Sequence, residues 1–167
     1  AFDVNLLSTR FIMNRLKSDL VNLPHLDLLH PSRRILGHRL ENSRLGTLEV
    51  EVLGVFREGD IPGWEIPQRY FDWLKQRDGR LLEAIFEHNK LDVISMATLT
   101  AHLTEILCAK RELQSSHADD YLAAARLLFK RRDTERAGKI LDVFGENQAG
   151  DELSAISKKE LASLCKR

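Results

Sequence analysis

The chain has 167 residues, the length of one ordinary domain or of a domain with a short extension. Apolar residues make up 43% and charged residues 30%, which excludes a disordered or collagen-like chain, and 25 Lys+Arg against 25 Asp+Glu leave no net field to draw the molecule toward nucleic acid or anionic lipid. No stretch approaches the roughly 18 unbroken apolar residues of a membrane span, and Cys108 and Cys165 lack disulfide-framework or zinc spacing, so a soluble, cytoplasmic protein with no membrane partner is expected.

The opening run Ala1-Phe2-Asp3-Val4-Asn5-Leu6-Leu7 lacks the polar slack of a natural terminus and reads as a cut end. Leu6, Leu7, Phe11, Met13 and Leu16 fall near helical spacing behind Asp3, which predicts a helix over about 4–17 with Asp3 as its N-cap. Leu23 to Leu29, flanked by Pro24 and by His30-Pro31-Ser32, predicts a short strand, after which Ser32 caps a helix running through Leu40. Gly46-Thr47-Leu48-Glu49 predicts another start, with Thr47 as cap, Glu51 among the early acids and Gly54 as the stop about two turns later.

Arg57 to Pro67 holds two prolines and two glycines and must be a connection, with Trp64 and Ile66 expected to pin it down. Beyond it the pattern is helical. Tyr70, Phe71, Trp73 and Leu74 form one apolar face, Leu81, Leu82, Ile85 and Phe86 the next, and a long helix is expected from about Leu91 through Leu113. After a polar break at 114–117, Tyr121, Leu122, Ala125, Leu128 and Phe129 face Ala137, Ile140, Leu141 and Phe144 across the turn Arg132-Asp133-Thr134. That is a helical hairpin the size of one tetratricopeptide-like unit, with a residual helix near 151–165.

Among residues suited to chemistry, His88 and Asp92 stand four apart, so a helix sets them one turn apart on one face. A carboxylate there can hold a divalent cation while the imidazole approaches its water, and the same spacing also suits plain surface decoration. Asp3 reads equally as a helix cap and Asp27 as an acceptor for a neighbouring backbone N–H. His25, His30 and His38 lack the spacing of a closed metal site and read as loop histidines. Arg33-Arg34, Arg39 and Lys130-Arg131-Arg132 are short basic runs that suit phosphate contact or a solvated helix face, and Trp64, Tyr70 and Trp73 suit base stacking or a core.

Four segments in order carry a resemblance: Phe2 to Phe11; His25-Leu26-Asp27-Leu28-Leu29-His30; Gly59-Asp60-Ile61-Pro62-Gly63 with Tyr70-Phe71; and Glu87-His88-Asn89-Lys90-Leu91-Asp92-Val93. Over about residues 1–105 they resemble the YprB-like branch of the RNase H-like, DEDD-type 3′–5′ exonucleases. The resemblance implies a mixed sheet with flanking helices and acids that hold two divalent metals, Mg²⁺ or Mn²⁺. It matches Asp3 to the acid of the second motif and Asp92 to that of the third, with His88 at the general-base position. Asp27 and Asn89 are secondary candidates, and Arg10, Arg33 and Arg34 are candidate nucleic-acid contacts. The pattern departs from the family at Asn5, where Pro is commoner, and at His88, where related nucleases carry Tyr. The family's first motif, an Asp-x-Glu, is absent.

The expected fold is therefore mainly α: the C-terminal part of an RNase H-like α/β domain at 1–113, its first strands missing, followed by tetratricopeptide-like helical hairpins at 118–167. Two functions fit. One is a metal-dependent exonuclease-like domain acting on single-stranded or frayed nucleic acid ends, inactive as this piece. The other is a catalytically lapsed nuclease fold that binds nucleic acid, or a protein partner through the C-terminal helices.

Overall fold

The computed structural model of the chain describes residues 2–109 and 118–147. The expected break at 114–117 and helix at 151–165 lie outside the described residues, as does Cys165. As the spacing of its apolar residues implied, the chain is mainly α.

Helix α1 spans Phe2–Met13, so Asp3 stands in its first turn rather than at its cap. It stops short of residue 17 because Arg15 turns left-handed, with φ 55°, and Leu16 N–H closes back on Phe11 O at 2.9 Å. The strand expected over Leu23–Leu29 does not form: no strand exists among the described residues, so no partner could complete its ladder. A single 3₁₀ turn, Leu20–Asn22, stands before that segment, and Asp27 Oδ1 accepts the Leu29 N–H at 3.0 Å where α2, Leu29–Ile35, begins. Ser32 is thus inside α2 and not its cap, and its hydroxyl donates to Leu28 O at 2.6 Å. The helix ends at Ile35, well before Leu40. At Gly37 the chain runs so close to the preceding turn that a Cβ would lie 2.3 Å from Arg33 O, a position only glycine can fill.

Helix α3, Leu45–Leu48, continues as a π-helical turn over Glu49–Leu53 and ends at Gly54, where φ is 66°. The start is fixed by Asn42, not by Thr47: its side-chain oxygen accepts from Arg44 N–H at 3.0 Å and from the Thr47 hydroxyl at 2.8 Å. In the connection that follows, Trp64 is 80% exposed and pins nothing; Ile61 is the residue that is buried.

Helix α4 spans Ile66–Gln76, with Pro67 in its first turn, and α5 runs unbroken from Arg80 to Leu107. The two apolar patterns expected on either side of Leu91 belong to this one helix of 28 residues, about 42 Å long, because no Gly or Pro interrupts it. On α4, Tyr70 and Phe71 are exposed rather than packed inward; Tyr70 lies 5.5 Å from Trp73 and 6.0 Å from Phe71, centroid to centroid.

Helices α6, Ala118–Lys130, and α7, Thr134–Asn147, form the expected hairpin. Arg132 takes φ 63° in the turn, and Asp133 Oδ1 accepts the Arg136 N–H at 3.2 Å to cap α7. The core is one continuous cluster: Ile35 and Leu36 from α2 and its end, Leu48 from α3, Leu99, Leu103 and Ile106 from α5, and Tyr121, Leu128, Ala137 and Ile140 from the hairpin. Ala124, Ala125 and Ala137, all buried, let α6 and α7 approach closely.

Candidate functional site

The connection between Gly54 and Glu65 folds against the N-terminal half of α5 and sets charged side chains from three parts of the chain around one guanidinium. Arg57 Nη1 donates to Asp60 Oδ2 at 2.9 Å, and Nη2 donates to Asp92 Oδ1 at 2.7 Å and to Glu49 Oε1. Glu49 is buried at 2% exposed, Asp60 and Arg57 are part-buried at 12% and 13%, and Asp92 is 33% exposed at the mouth. Burial disfavours the charge on Arg57, but the hydrogen bonds to Glu49, Asp60 and Asp92 outweigh it and hold the guanidinium above its ordinary range. Arg57 Nε is buried with no hydrogen-bond partner.

His88 completes the cluster. Its Nδ1 lies 2.8 Å from Asp60 Oδ2 and 3.0 Å from Oδ1, and its Nε2 lies 3.7 Å from Asp92 Oδ2. The four-residue spacing on α5 therefore does what the sequence implied, bringing imidazole and carboxylate to one face. Burial raises the pKa of Asp60, yet the Arg57 and His88 hydrogen bonds prevail and keep its carboxyl below the usual carboxylate range.

On the same face, Met96 sits one turn beyond Asp92 and lines a cleft of about 360 Å³ together with Val4, Leu26, Asp27, Leu28 and Leu45. The cleft joins the first turn of α1, which carries Asp3, to the Asp27 segment and to α5.

A model of the RNase H superfamily matches residues 1–104. The chain belongs to the RNase H superfamily. Uncharacterized protein YprB of Bacillus subtilis (strain 168) is 32% identical to it over 170 residues, an alignment that covers 100% of this chain and 40% of YprB. The chain thus spans 40% of the length of that curated relative. No solved structure matches it.

The RNase H superfamily is nuclease-like in fold, and its members commonly use divalent metals. The described residues of this member do not on their own make such a centre. No group of three or more His, Cys, Asp or Glu among them is placed to hold a metal ion. Asp60 and one oxygen of Asp92 are committed to Arg57, and the side chain of Asp3 lies outside the described residues. The free geometry that remains is Asp92 Oδ2, part-exposed and facing His88 Nε2.

The other sequence-derived candidates spread out. Asn89 is exposed, about 100° around α5 from His88. Arg10 is exposed in the last turn of α1, and Arg33 and Arg34 in the last turn of α2. Arg39, weighed between a phosphate contact and a solvated helix face, is instead spent inside the protein on Asp120. His25 Nε2 lies 2.8 Å from Leu20 O, and His38 Nε2 lies 3.4 Å from Asp120 Oδ1.

Sequence reasoning missed Arg57, Glu49 and Asp60 as members of the site. The signals were faint but physical. Arg57 and Asp60 form an i,i+3 pair in a connection read for its prolines and for the segment Gly59 to Gly63 but not for its charges, and Glu49 is an acid embedded in the run Leu48 to Leu53.

Proposed function

We propose that the chain is the part of an RNase H-like domain that follows its first strands, at residues 1–113, joined to a tetratricopeptide-like extension at 118–167. The activity of the complete domain is 3′–5′ hydrolysis of phosphodiesters at single-stranded or frayed nucleic acid ends, and this piece alone is inactive. The observation that carries this reading is the His88–Asp92 pair: one turn apart on α5, 3.7 Å between Nε2 and Oδ2, within the superfamily match and beside a cleft that Asp27 lines. In this reading His88 accepts a proton from the attacking water at Nε2, and Asp92 with Asp3 supplies oxygen ligands to Mg²⁺ or Mn²⁺. Exposed Trp64 offers a stacking face, and exposed Arg10 on α1 and Arg33 and Arg34 on α2 offer phosphate contacts. The exposed thiol of Cys108 fits a reducing, cytoplasmic setting.

A second reading is favoured by one specific observation. Arg57 already neutralises Asp92 Oδ1, Asp60 and Glu49, as expected of a nuclease fold that has lapsed into a binding module for nucleic acid or, through α6 and α7, for a protein partner.

The deciding assay uses end-labelled single-stranded DNA and RNA with Mg²⁺ or Mn²⁺, applied to this chain and to a longer protein carrying it. Hydrolysis in the longer protein that is lost with Asp92→Asn supports the enzyme. Hydrolysis unchanged by Asp92→Asn refutes the site, and binding without hydrolysis in either protein supports the lapsed fold.

A further inference from the structure

The contacts of His88 are unequal, and the inequality assigns work to a residue that the resemblance includes only as part of the segment Gly59 to Gly63, with no role. Asp60 offers both carboxylate oxygens to His88 Nδ1, at 2.8 and 3.0 Å, whereas the nearest carboxylate oxygen to Nε2, Asp92 Oδ2, stands off at 3.7 Å. The first is a full hydrogen bond and the second is not. An ionised carboxylate only accepts, so the proton of that bond belongs to the imidazole: His88 donates from Nδ1. In the neutral ring Nε2 is then the bare nitrogen, directed toward the more open Asp92 side of the cluster.

Asp60 is itself held from three directions. Arg57 Nη1 donates to its Oδ2 at 2.9 Å, Gly59 before it adopts φ 70°, and Ile61 after it is buried. Buried Ile61 and the Arg57 hydrogen bond thus hold Asp60 in place apart from its contact with His88. A ring held from a pre-placed carboxylate has its orientation and its tautomer set together.

We propose that Asp60 is a positioning residue: it fixes the His88 ring through Nδ1–H and so makes Nε2 the working nitrogen, aimed at the water that would sit between His88 and Asp92. Asp60 touches neither that water nor a substrate. This inference rests on the assignment of His88 as the base under the proposed function, but its structural half can be tested without any turnover.

The test is ¹⁵N NMR of the whole chain with labelled histidine, the six rings being sorted by the loss of one set of signals in His88→Gln. Once the pH is raised until the His88 signals stop moving, the neutral ring is expected to show Nδ1 at the protonated shift and Nε2 at the unprotonated one. If wild-type His88 is Nε2–H, the proposal is overturned, and this reading requires no variant to fold. In Asp60→Asn, Arg57 competes for the amide oxygen and turns the NH₂ toward Nδ1, so His88 is expected to move to the Nε2–H form, with Asp60→Glu restoring the wild-type pattern. An unchanged tautomer in Asp60→Asn, with the other histidine signals in place, also overturns it.

Activity separates the two layers. In a longer protein with measurable hydrolysis, Asp60→Asn is expected to lower kcat by about tenfold or more with KM unchanged. Hydrolysis indifferent to His88→Gln would sink the base assignment while leaving the tautomer result standing, whereas a full wild-type kcat in an Asp60→Asn protein with a flipped tautomer would sink the working role of Nε2.

Discussion

Arg39 and Asp120, 81 residues apart, form a two-pronged ion pair: Nε donates to Oδ1 at 3.1 Å and Nη2 to Oδ2 at 3.0 Å, with Asp120 fully buried. The pair joins the end of α2 to the first turn of α6, so it tethers the hairpin to the part matched by the superfamily. Removing one partner of a buried pair strands the other charge. Asp120→Ala is therefore expected to cost about 3 kcal/mol in urea denaturation, and Arg39→Ala somewhat less, because Asp120 keeps His38 Nε2 at 3.4 Å. A cost below about 1 kcal/mol for Asp120→Ala would mean the pair contributes no more than a surface contact.

The continuous core makes a related statement about cooperativity. Leu99 on α5 and Ile140 on α7 are both fully or nearly fully buried in the same cluster. Truncating either to Ala is expected to cost about 3 kcal/mol. Both losses should lower the midpoint of a single unfolding transition, seen alike by circular dichroism and by Trp64 and Trp73 fluorescence. Separate transitions, with Ile140→Ala shifting only one of them, would show that the hairpin folds independently.

Legibility in the sequence followed the range of the interactions. Periodicity found α5 as two patterns rather than one helix, and found the α6–α7 hairpin and the His88–Asp92 face, because these depend on residues three and four apart. It failed at Leu23–Leu29, where a strand-like apolar run had no ladder to join, and at Ser32, whose hydroxyl turned back to Leu28 O instead of capping. Trp64 was expected inside because it is large and apolar, yet Ile61 fills that role and Trp64 stays in water. The Glu49–Arg57–Asp92 arrangement was invisible for a different reason. Its members lie 8 and 35 residues from Arg57, and only the folded connection brings them together.

Arg57 should behave as the keystone of its cluster. Without it, buried Glu49 and part-buried Asp60 would be carboxylates facing Asp92 with no cation between them. Arg57→Met is expected to destabilise by about 3 kcal/mol or more at pH 7. It should also reverse the local pH dependence: carboxyls that must then be neutral in the fold have raised pKa values, so the variant regains part of the loss as pH falls toward 5. Thermal melts of wild type and variant from pH 5 to 8 read this directly, and a constant gap between the two curves would refute it.

Two groups with depressed pKa values give the wild-type chain two acid-side losses of stability. His102 is pushed down by burial, against the opposing pull of Asp120, and its Nε2 is buried with no hydrogen-bond partner. The unfolded chain therefore takes up a proton at His102 more readily than the fold does. Its contribution to stability is complete above the ordinary histidine value of 6.5 and is lost as pH falls below it toward the folded value. Asp60, held low by Arg57 and His88 against its burial, acts in a lower window. Its contribution is complete above the ordinary carboxylate value of 3.8 and is lost as pH falls through the folded value beneath it. His102→Leu is expected to flatten the stability curve between pH 7 and 5 relative to wild type while leaving the steep fall near pH 3 intact. Asp60→Asn is expected to do the opposite, lowering stability at pH 7 and shrinking the fall near pH 3. Denaturant titrations of the three proteins at pH 7, 5 and 3 separate the windows, and a His102→Leu curve parallel to wild type between pH 7 and 5 would rule out the buried imidazole as the source of the first loss.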